Sequence, residues 1–169
     1  MTAARRPFGP EAYLLRGLRE RGIDVVTVRV GLKIEFGAAA LEFLSPPAGA
    51  EWDLGNDMSL VASVNTPARS SAALLCGDIQ DTAITHIAGL SPRPAIMEAP
   101  HHGSARASAI GLVAQADPAI VVQSTGSSRA GDERWAEVRS GRVWRCTATD
   151  GACWSEVLRD GSVRSGDWR

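Results

Sequence analysis

Hydrophobic positions follow helical spacing near the start of the chain and strand spacing soon after. Tyr13, Leu14, Leu15 and Leu18 recur at helical spacing, and Gly22 stands where a helix would stop, so Glu11 to Arg21 is expected to be a short helix. From Asp24 to Val30 the residues are β-branched and alternating, which predicts a strand. After a turn at Gly31, Leu32 to Phe36 and Ala40 to Leu44 read as a hairpin pair, and Ser45 to Gly55, with Pro46, Pro47 and two glycines, reads as a loop.

Met58 to Val64 and Ser71 to Cys76 are two further strands around a polar turn from Asn65 to Ser70. The pattern then alternates between element types: Asp81 to Leu90 helical, Ala95 to Ala99 a buried strand, Ala107 to Gln115 a small-residue helix, Ala119 to Gln123 a strand, and Asp132 to Arg139 a helix. Arg142 to Thr147 and Cys153 to Leu158 are expected to form a hairpin turning at Asp150-Gly151. Strands and helices in this order indicate an α/β layered domain with a mixed sheet and outer helices.

The composition fits a single domain over 1–169: the chain has 169 residues, 44% of them hydrophobic and 22% charged. No secretory signal is visible, and no stretch reaches the roughly 18 to 20 apolar residues of a membrane span. The expected location is therefore cytoplasmic. The formal net charge is −1 and the basic residues, all arginine except Lys33, are dispersed, so charge gives no footprint for tight nucleic-acid binding. Cys76, Cys146 and Cys153 form no CxxC pair, and their odd number fits reduced thiols better than a disulfide scaffold or a thiolate zinc site.

Two places put metal-competent groups directly after apolar strands. In Leu74-Leu75-Cys76-Gly77-Asp78 the carboxylate emerges behind a glycine that permits a tight turn; it is either a ligand or the cap of the helix that starts near Asp81. In Pro100-His101-His102-Gly103-Ser104 two of the three histidines are adjacent. Were the strand to continue, they would point to opposite sides, one toward a ligand site and the other toward supporting groups, unless both are simply solvated loop residues. His86, between Ile84 and Ile87 in a helical pattern, reads as a surface or packing residue.

Asn56-Asp57-Met58-Ser59-Leu60-Val61, Leu74-Leu75-Cys76-Gly77-Asp78-Ile79 and Ala99-Pro100-His101-His102-Gly103-Ser104 with Ser108 resemble a known set of segments. In order and spacing they are similar to N-D-x-S-L-V, L-L-x-G-D-I and V-P-H-H-G-S-x-x-S of the metallo-β-lactamase-like domain of ComEC-type competence proteins. Asp117 to Gly126 and Thr149-Asp150-Gly151 resemble the segments that follow in that family. The resemblance implies a four-layer αββα sandwich, metal bound at the sheet edges and metal-dependent hydrolysis. In competence proteins this domain accompanies a DNA channel and is thought to act as a nuclease, so DNA enters as a partner by resemblance alone.

By the same resemblance Asp78 corresponds to the catalytic, metal-bridging aspartate, and the His101-His102 pair contains the late histidine ligand. The family's H-x-H-x-D-H motif has no counterpart, since histidines occur only at 86, 101 and 102. The sequence thus matches the C-terminal half of the domain, with an incomplete zinc site at Asp78, His101 and His102. The expected protein is a truncated or split hydrolase, inactive by itself and completed by a chain carrying the missing half. The alternative is a non-catalytic structural or partner-binding relative. An incomplete sandwich would uncover apolar strand residues, with Val61, Leu74, Ile96, Val121 and Val122 as candidates, and would favour self-association.

Overall fold

A computed structural model describes residues 2–3, 10–52 and 55–168. Helix α1 (Pro10–Glu20) begins on a proline, whose missing N–H is no loss in a first turn, and closes at Gly22 with φ +68°. The strand expected from Asp24 to Val30 contracts to two residues, β2 (Thr27–Val28), paired in parallel with β1 (Thr2–Ala3).

The body of the fold is a mixed sheet of seven strands in sequential order, β3 (Lys33–Phe36), β4 (Ala39–Ser45), β5 (Val61–Thr66), β6 (Arg69–Leu75), β7 (Ile96–Glu98), β8 (Ile120–Gln123) and β9 (Val143–Cys146). From β3 to β6 the pairing is antiparallel through local connections; from β6 to β9 it is parallel. The parallel connections carry α2 (Asp81–Gly89) between β6 and β7, a four-residue turn α3 (Pro100–Gly103) and α4 (Ala107–Ala116) between β7 and β8, and short turns α5 (Ser127–Ala130) and α6 (Ala136–Arg139) between β8 and β9. The chain is thus a mixed α/β structure. No helix among the described residues is long and apolar enough to cross a membrane.

Register decides which residues form the core. Across the parallel half it aligns Leu74, Met97, Val121 and Trp144. These pack with Ile84, Ile87, Leu112 and Val113 from α2 and α4 into the main core. A fully buried side chain of this size contributes about 1.5–3 kcal/mol, so this row accounts for much of the cohesion of the layer. The next row, Ala73, Ile96, Ile120 and Val143, faces the other way.

The uncovered residues differ from those the pattern suggests. Val61, Leu74 and Val121 are fully buried in the core that includes α2 and α4; on the opposite face Ile96 is buried and Val122 partly buried, while Leu75 and Val143, each 45% exposed, are among the apolar residues left open there. Strand residues are apolar on both faces here, and the assignment of face inverts with a shift of one residue.

Two expectations at the C-terminal end are also overturned. Arg142 to Thr147 and Cys153 to Leu158 do not pair with each other: β9 joins β8, a helical turn α7 (Thr147–Asp150) follows, and β10 (Cys153–Val157) pairs with β11 (Val163–Asp167) in a separate hairpin. Arg145 ties that hairpin to the sheet through Ser165, donating to its Oγ at 3.1 Å and its carbonyl at 3.2 Å. The helix expected from Asp132 to Arg139 breaks into a 3-10 turn (Glu133–Trp135) and α6, around the fully buried Trp135. All three cysteines are free thiols.

Asp57 fixes how α2 meets the sheet. It is fully buried in a 3-10 turn (Gly55–Met58), and its Oδ1 accepts the backbone N–H of Gln80 at 2.6 Å and of Ala83 at 3.3 Å. Those are the orphan donors of the α2 N-terminus, which the N-cap residue Gln80 leaves without a side-chain cap of its own. Asp57→Ala is expected to cost about 1–3 kcal/mol of stability, from a lost cap and buried amides left unpaired. Urea unfolding checks this; a cost below about 0.5 kcal/mol would mean the amides find other partners.

Candidate functional site

The site forms where β6 and β7 end side by side. β6 runs into Cys76, whose thiol is buried; burial, and then the charge of Glu98, push its pKa well up, so this is an inert thiol. Glu98, at the end of β7, draws the loop in by accepting the backbone N–H groups of Cys76 and Gly77 with one oxygen, both at 2.9 Å. Gly77 has φ +57°, and a Cβ there would sit 3.4 Å from the carbonyl of Leu60. Asp78 follows, with its side chain 43% exposed.

Asp78 is not the cap of α2, because Asp57 holds that position from across the fold. Its Oδ1 instead lies 3.1 Å from His102 Nε2. The other ring nitrogen of His102, Nδ1, is 3.0 Å from the carbonyl of Ser124. A carbonyl only accepts, so Nδ1 donates in that bond; the Asp78 carboxylate likewise only accepts, so the Nε2 contact is a hydrogen bond only while Nε2 also carries a proton, which a bound cation would have to displace.

The histidines do not continue the strand with alternating directions. His101 (φ 48°, ψ 50°), His102 (φ 55°, ψ 28°) and Gly103 (φ 76°) form a left-handed turn. For a residue with a Cβ this conformation costs about 1–2 kcal/mol, so two in succession must be held by their surroundings. The His101 N–H donates to the carbonyl of Gly77 at 2.9 Å, joining the two loops directly. On the carbonyl side, His101 accepts Arg129 Nη1 at 2.9 Å and Gly103 accepts the indole N–H of Trp135 at 2.9 Å.

His101 has a different environment from His102. Its ring lies 6.4 Å from that of His102, at 70°, and its Nδ1 is buried without a hydrogen-bond partner among the described residues. Partial burial holds its pKa below the usual imidazole value; Asp78 opposes this, while Arg129, His102 and Arg106 reinforce it. Beyond the turn, Asp81 accepts Ser108 Oγ at 2.5 Å and Arg106 Nη1 at 2.6 Å, tying α4 to the first turn of α2. The Ser108 bond, helped by Arg106, holds the Asp81 carboxyl below its ordinary range against the opposing effect of desolvation. His86 has a packing role: its Nε2 lies 3.1 Å from the Leu44 carbonyl and its ring 6.1 Å from that of Trp52.

Asp78 and His102 therefore present one carboxylate and one imidazole to the same point at the sheet edge. A catalytic zinc takes three protein ligands and an open position. Among the described residues no group of three or more His, Cys, Asp or Glu side chains is placed to hold an ion. The described donors on their own do not make up a catalytic zinc site, and no hydrolytic step follows from them alone.

Sequence reasoning found both loops but missed Glu98, Gln123, Arg129 and Trp135, which hold them. One signal was present: Gln123 ends the apolar run Ile120-Val121-Val122, and an amide in a buried strand requires partners. A scan against protein-family models and a search of curated proteins both find no match for this chain.

Proposed function

We propose that this chain is one half of a metal-dependent hydrolase centre on a metallo-β-lactamase-like fold, contributing Asp78 and His102 as ligands, with His101 beside them. The observation that supports this reading is the 3.1 Å approach of Asp78 to His102 Nε2, on a ring whose Nδ1 is anchored to a backbone carbonyl. Metal-ligating histidines are oriented in this way, one nitrogen held by a carbonyl and the other left to the ion. The remaining ligands, on this reading, come from a second polypeptide carrying H-x-H-x-D-H. Leu75 and Val143, exposed beside the buried Ile96 and Ile120, are where an additional layer would make contact, or where copies of the chain would associate in its absence. DNA as the substrate rests on the family resemblance only.

The test separates the chain from the completed centre. With Zn²⁺ or Mn²⁺ supplied, the chain alone is expected to show no phosphodiesterase activity, and mixing with the complementary polypeptide is expected to restore it. Zn²⁺ titration followed by imidazole NMR should perturb His102, and Asp78→Asn should weaken binding by at least about tenfold, the scale seen for damaged metal sites. Unchanged affinity in Asp78→Asn would remove Asp78 as a ligand. Turnover by the chain alone that disappears in Asp78→Ala would overturn the half-site reading. Zinc binding without activity in any mixture would favour a non-catalytic, partner-binding domain.

A further inference from the structure

Gln123 stands at the centre of the structure that holds the histidine turn. It is fully buried, and all of its amide is engaged. Its Oε1 accepts Arg139 Nη2 at 3.0 Å and Trp144 Nε1 at 2.9 Å, and its Nε2 donates to the Arg129 carbonyl at 3.2 Å and, at the long limit of 3.5 Å, to that of His102. Arginine and tryptophan only donate and carbonyls only accept, so this network admits one orientation of the amide. The guanidinium of Arg139 also lies 4.8 Å from the Trp144 ring, which in turn is 5.2 Å from that of Trp135.

This node bears on the turn in two ways. It fixes the backbone of Arg129, whose side chain reaches back to the His101 carbonyl at 2.9 Å. It also occupies the space beside Gly103, where a Cβ would collide with the Gln123 amide. The left-handed turn and the buried amide therefore fit each other: the glycine leaves room for the amide, and the amide anchors the residue that holds the first histidine.

We propose that Gln123 is a positioning residue, which through Arg129 and its packing on Gly103 keeps His101 and His102 in the left-handed turn and His102 Nε2 against Asp78. Its consequence for cation affinity rests on the half-site reading above; its effect on the turn does not.

The experiment compares three variants of the full chain by NMR and thermal unfolding. Gln123→Leu removes the amide at similar volume, Arg129→Met cuts the link to His101 without altering the buried node, and Trp144→Phe removes one donor to Gln123 Oε1 and leaves the Nε2 side intact. In Gln123→Leu and Arg129→Met the backbone ¹³C shifts and ³J couplings of His101 and His102 are expected to leave the positive-φ range, and zinc affinity to fall. In Trp144→Phe the melting temperature is expected to fall while those signals stay. A Gln123→Leu protein that melts earlier but keeps both histidines at positive φ would reduce Gln123 to a structural residue and overturn the proposal. If Gln123→Leu does not fold, unchanged histidine signals in Arg129→Met overturn it instead. A turn that relaxes as expected in a chain whose wild-type form binds no zinc would uphold the positioning role and sink the metal reading alone.

Discussion

Gly103→Ala is expected to destabilise the chain by about 2–5 kcal/mol, combining a left-handed residue with a Cβ and an overpacked site. Gly103 has φ +76°, and its added methyl would meet the Gln123 amide, which is fixed on both sides by bonds to Arg139, Trp144 and Arg129. The amide cannot step aside without leaving buried donors unpaired. Gly37 provides the comparison: its φ is +61°, but no atom lies within 4 Å of a Cβ there. Gly37→Ala should therefore cost only the conformational part, about 1–2 kcal/mol. Urea unfolding of the two variants measures the difference. Equal losses would mean that the core around Gln123 gives way freely, and that the fit between glycine and amide has no energetic weight.

Trp135→Ala is expected to cost about 3–5 kcal/mol, the range for emptying a buried aromatic site. The side chain is fully buried against Trp144, and its indole N–H is bonded to the Gly103 carbonyl. Trp135→Phe separates the two contributions. It keeps most of the packing and loses the donor, so it should cost about 1–3 kcal/mol, the penalty of one buried carbonyl left unpaired. Thermal unfolding with both variants decides the matter: a phenylalanine variant as damaging as alanine would place nearly all the weight on the hydrogen bond, and one as stable as the wild type would place it on packing.

The parts of the fold that sequence pattern reveals are those stabilised locally. Helix α1, the β3–β4 hairpin, α2 and α4 lie within one or two residues of their expected bounds, because helical periodicity and flanking turn residues suffice to define them. The C-terminal hairpin was misplaced for a long-range reason. Asp150-Gly151 is a real turn signal, with Gly151 at φ +73°, but it closes the short helical turn α7, while β9 is claimed by β8. The true partner of β10 is Val163-Arg164-Ser165-Gly166-Asp167, too polar and glycine-broken to read as a strand.

The candidate site divides in the same way. Asp78 and the histidine pair are visible because strand, glycine and polar group follow one another in the chain. Their support is not visible, since Asp57 acts on Gln80 from 23 positions away and Trp135 on Gly103 from 32. Nor does the sequence announce that two histidines adopt left-handed backbone, a conformation that tertiary contacts impose against local preference.

The engaged carbonyls at this edge bear on which cations could be held there. Those of Gly77, His101, His102, Gly103 and Ser124 each already accept a bond from a histidine, arginine, glutamine or tryptophan group. Hard ions such as Ca²⁺ are bound by shells of six to eight oxygens that ordinarily recruit main-chain carbonyls, and those at this edge would have to share their oxygens with the bonds they already accept. Were a cation held there, as proposed, it would first meet an imidazole nitrogen and a single carboxylate, a donor pair that suits borderline ions better than hard ones.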